Sequence, residues 1–235
     1  MTRSNWLSQA NNNQVKQSLY YQNKASLIQR KKKSHSGSKL IFLTFLGFLI
    51  LCFHIASNNK AFLLKQAGYI SPLAMTGGNP YIRALMRTIS VSEAKDSSPY
   101  TLLYGGEHIT DLSRHPDQCI TIVSGPNEGN CSTAAGRYQI LTTTWQEKVS
   151  KYGQGNTQIY GFQPFSQDQV VYAWLSDQQA WGENISVLLQ EGKVEEVLQI
   201  LSGTWTSLGY GIENNQLTPL LPEIYEQVLA EELAK

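Results

Sequence analysis

The sequence predicts an α+β domain, mainly helical with a small β element, carried behind a polar tail and one apolar span. Three observations lead there: a charge distribution split along the chain, one long uncharged apolar run, and apolar residues recurring at helical spacing beyond residue 79. At 235 residues the chain has room for one domain of ordinary size plus appendages.

Eight of the 19 basic residues and none of the 18 acidic ones lie in residues 1–39, so a net charge of +1 hides a basic head on a body formally acidic by 7. That head (Arg3, Lys16, Lys24, Arg30 to Lys33, Lys39) is rich in Asn, Gln and Ser, lacks apolar periodicity and reads as a disordered cytoplasmic tail. The run Leu40–Ala56 holds no Asp, Glu, Lys or Arg. Its length is at the short end of a membrane span, about 17–25 residues, and it lacks the polar stripe of a buried core helix. Basic residues before it place the amino terminus inside and everything after Ala56 outside. The long head and the absence of a small residue three before Ala56 favour an uncleaved signal anchor over a cleaved leader.

Residues 57–78, with Gly68, Pro72 and Gly77–Gly78, read as a stalk, and residues 79–235 as the exported domain. Asn79-Pro80 marks a helix start, a capping Asn with Pro at the first helical position. Ile82, Leu85, Met86 and Ile89 share one face of that helix, and four residues further on the same face reaches Glu93. Tyr100–Thr110 reads as short extended structure about a turn at Gly105–Gly106. Gly136 to Gln139 opens an apolar-periodic segment through Trp145, and Ser166 to Gln169 reads as a capping box. Further helices are expected over 183–190, 194–201 and 222–233. Trp145, Trp174 and Trp205 sit at core spacing.

A carboxyl at a helix end beside apolar neighbours is partly desolvated, which raises its pKa and favours the protonated form. Such a group can protonate the leaving oxygen of a glycosidic bond. Glu93 fits that role; it could equally cap its helix or pair with Arg87 or Lys95. Asp111 is the nearby acid able to activate a water, although Thr-Asp-Leu-Ser is also a turn setting. Arg137 could hold a substrate carboxylate or pair with a buried acid. Cys119 and Cys131 flank a loop rich in Gly, Pro and Asn; in an oxidising compartment they can pair, and with His108 and His115 they fit no familiar zinc spacing.

Five segments occur in order: Ile89-Ser-Val-Ser-Glu93, the stretch Tyr104 to Pro116, Ala135-Gly-Arg-Tyr-Gln139, Ser166-Gln-Asp168 and Thr204-Trp-Thr-Ser-Leu-Gly-Tyr-Gly211. Together, over residues 80–215, they resemble the phage lambda lysozyme-like family of lytic transglycosylases. The resemblance implies a lysozyme-like fold, peptidoglycan glycan strands as substrate, and no cofactor, metal or nucleic-acid partner. It implies Glu93 as the catalytic residue, Arg137, Tyr138 and Gln139 along the cleft opposite it, and Tyr210 near the reacting sugar. Leu102 stands where the aspartate of the T4-type pattern Glu-x8-Asp-x5-Thr would be.

Overall fold

The computed structural model describes residues 70–235 apart from Pro126, residues 155–158, Ile212 and Asn214. The tail 1–39, the apolar run Leu40–Ala56 and the first part of the stalk lie outside the described residues. Among the described residues no helix is long and apolar enough to cross a membrane.

Helix α1, Pro80–Glu93, begins where the capping signal places it. The Asn79 side chain accepts from the amide of Tyr81 at 2.9 Å and also from that of Ile82, satisfying two of the free first-turn donors. The apolar face continues into the core through Ile82, Leu85, Met86 and Ile89. The helix is buried beyond that face, since Arg83 and Arg87 are enclosed as well. Enclosed guanidinium groups need acceptors, and the carboxyl-terminal helix α7, Leu221–Leu233, supplies them. Glu232 takes the Nε of Arg83 on Oε2 and a terminal nitrogen of Arg87 on Oε1, each at 2.8 Å. Removing that carboxylate would leave the buried Arg83 without its counter-charge and Arg87 with Glu231 alone, a change worth about 3–5 kcal/mol for a broken buried pair.

The stalk boundary at residue 78 is corrected by the same region. Residues 70–78 belong to the domain: Leu73 and Met75 sit in the core, and three arginines grip the backbone of this strap. Arg87 donates to the carbonyl of Ile70, Arg137 to those of Ser71 and Pro72, and Arg83 to those of Met75 and Gly77. An irregular strand cannot satisfy its own carbonyls, so buried side-chain donors do so instead.

The β element is a two-stranded antiparallel ribbon, β1 Ile120–Thr121 and β2 Cys131–Ser132, pairing Ile120 with Ser132 and Thr121 with Cys131. A disulfide joins Cys119 to Cys131, whose Cα atoms are 5.3 Å apart. Before it, a 3₁₀ turn at Pro99–Thr101 leads into a tight turn about Gly105–Gly106, across which Leu102 bridges His108.

Helices α2 (Thr142–Tyr152), α3 (Pro164–Ser176), α4 (Gln178–Trp181), α5 (Ile185–Gln190) and α6 (Val194–Leu201) complete the fold. The segment opened by Gly136 turns helical only at Thr142. The capping box expected at Ser166 is not one: α3 starts at Pro164, and the Ser166 hydroxyl instead donates to the Tyr160 carbonyl at 2.9 Å. Helix α5 starts two residues later than expected because Asn184 caps it. The tryptophans pack inside, with Trp174 stacked on Trp181 at 5.2 Å and Trp145 edge-on to Phe162 at 4.8 Å.

Candidate active site

Glu93 is the last residue of α1, and the amide of Ala94 closes the helix by returning to the Ser90 carbonyl at 2.8 Å. The 3₁₀ turn Thr206–Leu208 crosses this helix end and brings Ser207 onto the carboxyl, its hydroxyl donating to Oε1. Burial pushes the Glu93 carboxyl up to about 7, with the nearby charge of Glu213 acting in the same direction and the Ser207 hydrogen bond opposing both. Near neutral pH the carboxyl can therefore hold a transferable proton.

The residues around Ser207 are also tied to α1. The Ser92 hydroxyl lies 2.9 Å from Ser207 Oγ and 2.7 Å from its carbonyl, while Asn215 Nδ2 reaches Ser92 Oγ at 3.1 Å and the Ser207 carbonyl at 2.8 Å. Asn215 drew no notice in the sequence, and Ser92 and Ser207 only as single letters of motifs. Glu213, exposed and accepting from Thr206 at 2.9 Å, was missed as well. Their sole signal is position near Glu93 and within the 204–217 stretch; more than a hundred residues separate the two halves.

The expected cleft residues divide. Arg137 and Tyr138, placed by the sequence along the cleft as substrate contacts, are fully enclosed. Both are corrected to interior roles, because the strap and α3 occupy their polar atoms. The Tyr138 hydroxyl donates to Asp168 Oδ1 at 2.6 Å, Tyr100 donates to Oδ2 at 2.8 Å, and Arg137 donates to Tyr100 at 3.0 Å as well as to the strap carbonyls. Burial pushes the Asp168 carboxyl up, with Arg137 pulling against it. Arg137 thus spends its guanidinium on the strap carbonyls and on Tyr100, which in turn donates to Asp168.

Gly136 makes this enclosure possible. It holds φ +73°, and a Cβ there would run into Gln167 Oε1 and the Phe162 ring. Gln167 uses the space to accept from the Arg137 amide at 2.9 Å. Gln139, next to the turn, is half-buried at φ +43°, its amide donating to the Gly136 carbonyl at 3.0 Å. Tyr210 is exposed, also in left-handed backbone at φ +63°. A non-glycine residue held there is uncommon and tends to mark a turn under functional constraint.

Asp111 is a turn residue: it is exposed, its Oδ1 accepts from the Ser113 amide at 2.9 Å, and hydrogen bonds from Ser113 hold its pKa below the ordinary value. His115 is structural too. Nε2 donates to the Ile140 carbonyl at 2.8 Å, Nδ1 accepts from the Asp117 amide, and burial lowers its pKa. Among the described residues, no group of His, Cys, Asp and Glu could hold a metal ion.

A desolvated glutamate at a helix end, in a helical domain with a short ribbon, fits the lysozyme-like enzymes that cleave glycan strands, and this chain falls in that class. The endolysin family matches residues 83–231. The endolysin of Escherichia phage lambda is 29% identical over 130 residues, which cover 54% of this chain and 73% of that protein. The solved structure of bacteriophage lambda lysozyme complexed with a chitohexasaccharide superposes with TM-score 0.50 at 24% identity, over 66% of this chain and 97% of that one. That likeness shows the fold. The chain belongs to the endolysin family and is a peptidoglycan-cleaving, lysozyme-like enzyme.

Proposed function

We propose that this enzyme cleaves the β-1,4 bond between N-acetylmuramic acid and N-acetylglucosamine by lytic transglycosylation, with Glu93 as acid and then base. The observation that carries the reading is the carboxyl of Glu93, lifted to about 7 at the end of a rigid, buried helix. Glu93 gives its proton to the bridging oxygen as the C1–O bond breaks. The resulting carboxylate takes the proton of the muramic C6 hydroxyl, whose oxygen bonds to C1 and closes a 1,6-anhydro ring. No water is consumed and the carboxyl returns to its starting state. Gln139 and Tyr210, placed in polar, glycine-flanked turns, are the proposed sugar contacts; a ring face such as that of Tyr210 packs on a pyranose.

One observation favours hydrolysis as the second reading. Glu213 is a second carboxylate whose charge reaches Glu93, and a carboxylate across a cleft from the acid can activate a water. Mass analysis of muropeptides released from purified sacculi separates the two, since the anhydro product is lighter by one water than the reducing-end product. Anhydro ends, unaffected by Glu213→Gln, support transglycosylation. Reducing ends lost with that variant would establish hydrolysis.

For topology, the uncharged run Leu40–Ala56 behind a basic head supports a single-pass anchor with the catalytic domain outside. A reporter active only outside the cytoplasm, fused after Lys235, is expected to be active; an inactive fusion of stable, full-length chain overturns the topology.

A further inference from the structure

The hydrogen bonds behind Glu93 run in one direction, and that direction follows from a single amide. Asn215 Oδ1 accepts from the backbone N–H of Leu217 at 2.9 Å. Its Nδ2 is therefore the end turned toward Ser92 Oγ and the Ser207 carbonyl, and it can only donate to them. Ser92 Oγ receives that bond and sends its own hydrogen on to Ser207, where both Oγ and the carbonyl lie within 2.9 Å. With the Ser92 hydrogen directed to Ser207 Oγ, that hydroxyl sends its own to Glu93 Oε1. Among the described residues nothing else bonds the Glu93 carboxyl.

We propose that Asn215, Ser92 and Ser207 are positioning residues, a directed relay that keeps Glu93 Oε1 an acceptor and so confines the catalytic proton to Oε2. This rests on the reading of Glu93 as the acid. A carboxylic acid has one proton and two oxygens. With Oε1 receiving a hydrogen from Ser207 in both ionisation states, the proton occupies Oε2, which no hydrogen-bond partner among the described residues engages. Delivery and recovery of the proton then use the same atom, as a single residue acting first as acid and then as base requires. The relay also favours the carboxylate, opposing burial, so it holds the group within reach of both roles.

Few charges face Glu93 besides the relay. Glu213, on the segment after Gly211, raises its pKa. The turn Thr206–Leu208 carries no titratable side chain, and on α1 Arg83 and Arg87 are committed to α7. Asp96, beyond the helix end, pairs with His108 at 3.5 Å, and Lys95 beside it is exposed.

The sign of one shift reads the direction of the relay. The probe is the ¹³C-labelled glutamate carboxyl signal of the full chain in detergent, assigned by its loss in Glu93→Gln and titrated with pH. Ser207→Ala should move the Glu93 midpoint upward by about one pH unit, the scale of a hydrogen bond to a charged group. Asn215→Leu should move it the same way by less, and Ser207→Thr, which restores the hydroxyl, should return it. A downward shift in Ser207→Ala would mean that Glu93 donates to Ser207, and an unmoved midpoint that the bond carries no weight; either overturns the relay. Turnover of sacculi by the same variants tests the underlying reading separately. An alkaline limb that follows the carboxyl midpoint supports both, whereas a midpoint that moves while the limb stays fixed keeps the relay and removes Glu93 from the role of acid.

Discussion

Replacing Glu93 by Gln should abolish cleavage while making the folded domain more stable, and the gain should depend on pH in a defined sense. A carboxyl whose pKa rises from 4.5 to about 7 on folding binds more protons in the native state between those values. Stability of the wild type therefore falls as pH rises through that window. At 1.36 kcal/mol per unit, the shift corresponds to roughly 3 kcal/mol once the pH is above 7, and to almost nothing below pH 4. Gln has no proton to lose, and its side-chain oxygen can still accept from Ser207. Glu93→Gln should thus unfold at higher denaturant or temperature than the wild type at pH 8, by roughly 2–3 kcal/mol, with the two converging near pH 4. On sacculi the variant should lose its cleavage, since general acid–base terms contribute about 10²–10⁴ each. Chemical denaturation of both proteins at four or five pH values measures the first effect, and muropeptide release the second. Equal stabilities across pH 4–8 would show that the carboxyl is not desolvated and would refute the reasoning, whatever the activity. A folded variant with full activity would refute the mechanism.

Other outcomes follow from the interior. Asp168→Ala should destabilise the domain by about 1–3 kcal/mol, because it leaves the hydroxyls of Tyr138 and Tyr100 and the amides of Ala74 and Met75 without their shared acceptor; denaturation curves measure this, and an unchanged stability would contradict it. Gly136→Ala should cost at least about 2 kcal/mol, from left-handed backbone and from collision with Gln167 and Phe162, whereas the same change at Gly106, also left-handed but with open space around it, should cost less. Replacing both Cys119 and Cys131 by Ser should lower stability by about 2–4 kcal/mol, and neither should label with a thiol reagent before reduction.

Much of the domain was legible along the chain where the deciding interactions are local. The start of α1 follows from Asn79 and Pro80, and its buried face from i, i+3, i+4 spacing. Glu93 at its end follows from the same count, as do the limits of α6 from its own periodicity. Such features depend on neighbours within one turn, so a string of residues carries them. The turn role of Asp111 belongs here too, its donor, the Ser113 amide, lying two residues away.

The rest was decided by contacts between distant segments. Gly-Arg-Tyr-Gln looks like a polar surface turn, yet Arg137 and Tyr138 are interior because a strap some 65 residues earlier and a helix 30 residues later close over them. The strap reads as a stalk for the same reason: its carbonyls are satisfied by arginines whose reach cannot be seen from its own composition. Ser166 has the spacing of a cap, but Pro164 starts the helix two residues sooner and leaves its hydroxyl to Tyr160. The surroundings of Glu93 are the clearest case. The chain alone places a carboxyl at a helix end, but its desolvation and its partner Ser207 arise only when the turn Thr206–Leu208 folds across that end, 114 positions away from Glu93 at the contact itself. Periodicity and capping are short-range and leave a pattern in sequence; burial and the direction of a hydrogen-bond network depend on which surfaces meet, and only the tertiary fold decides that.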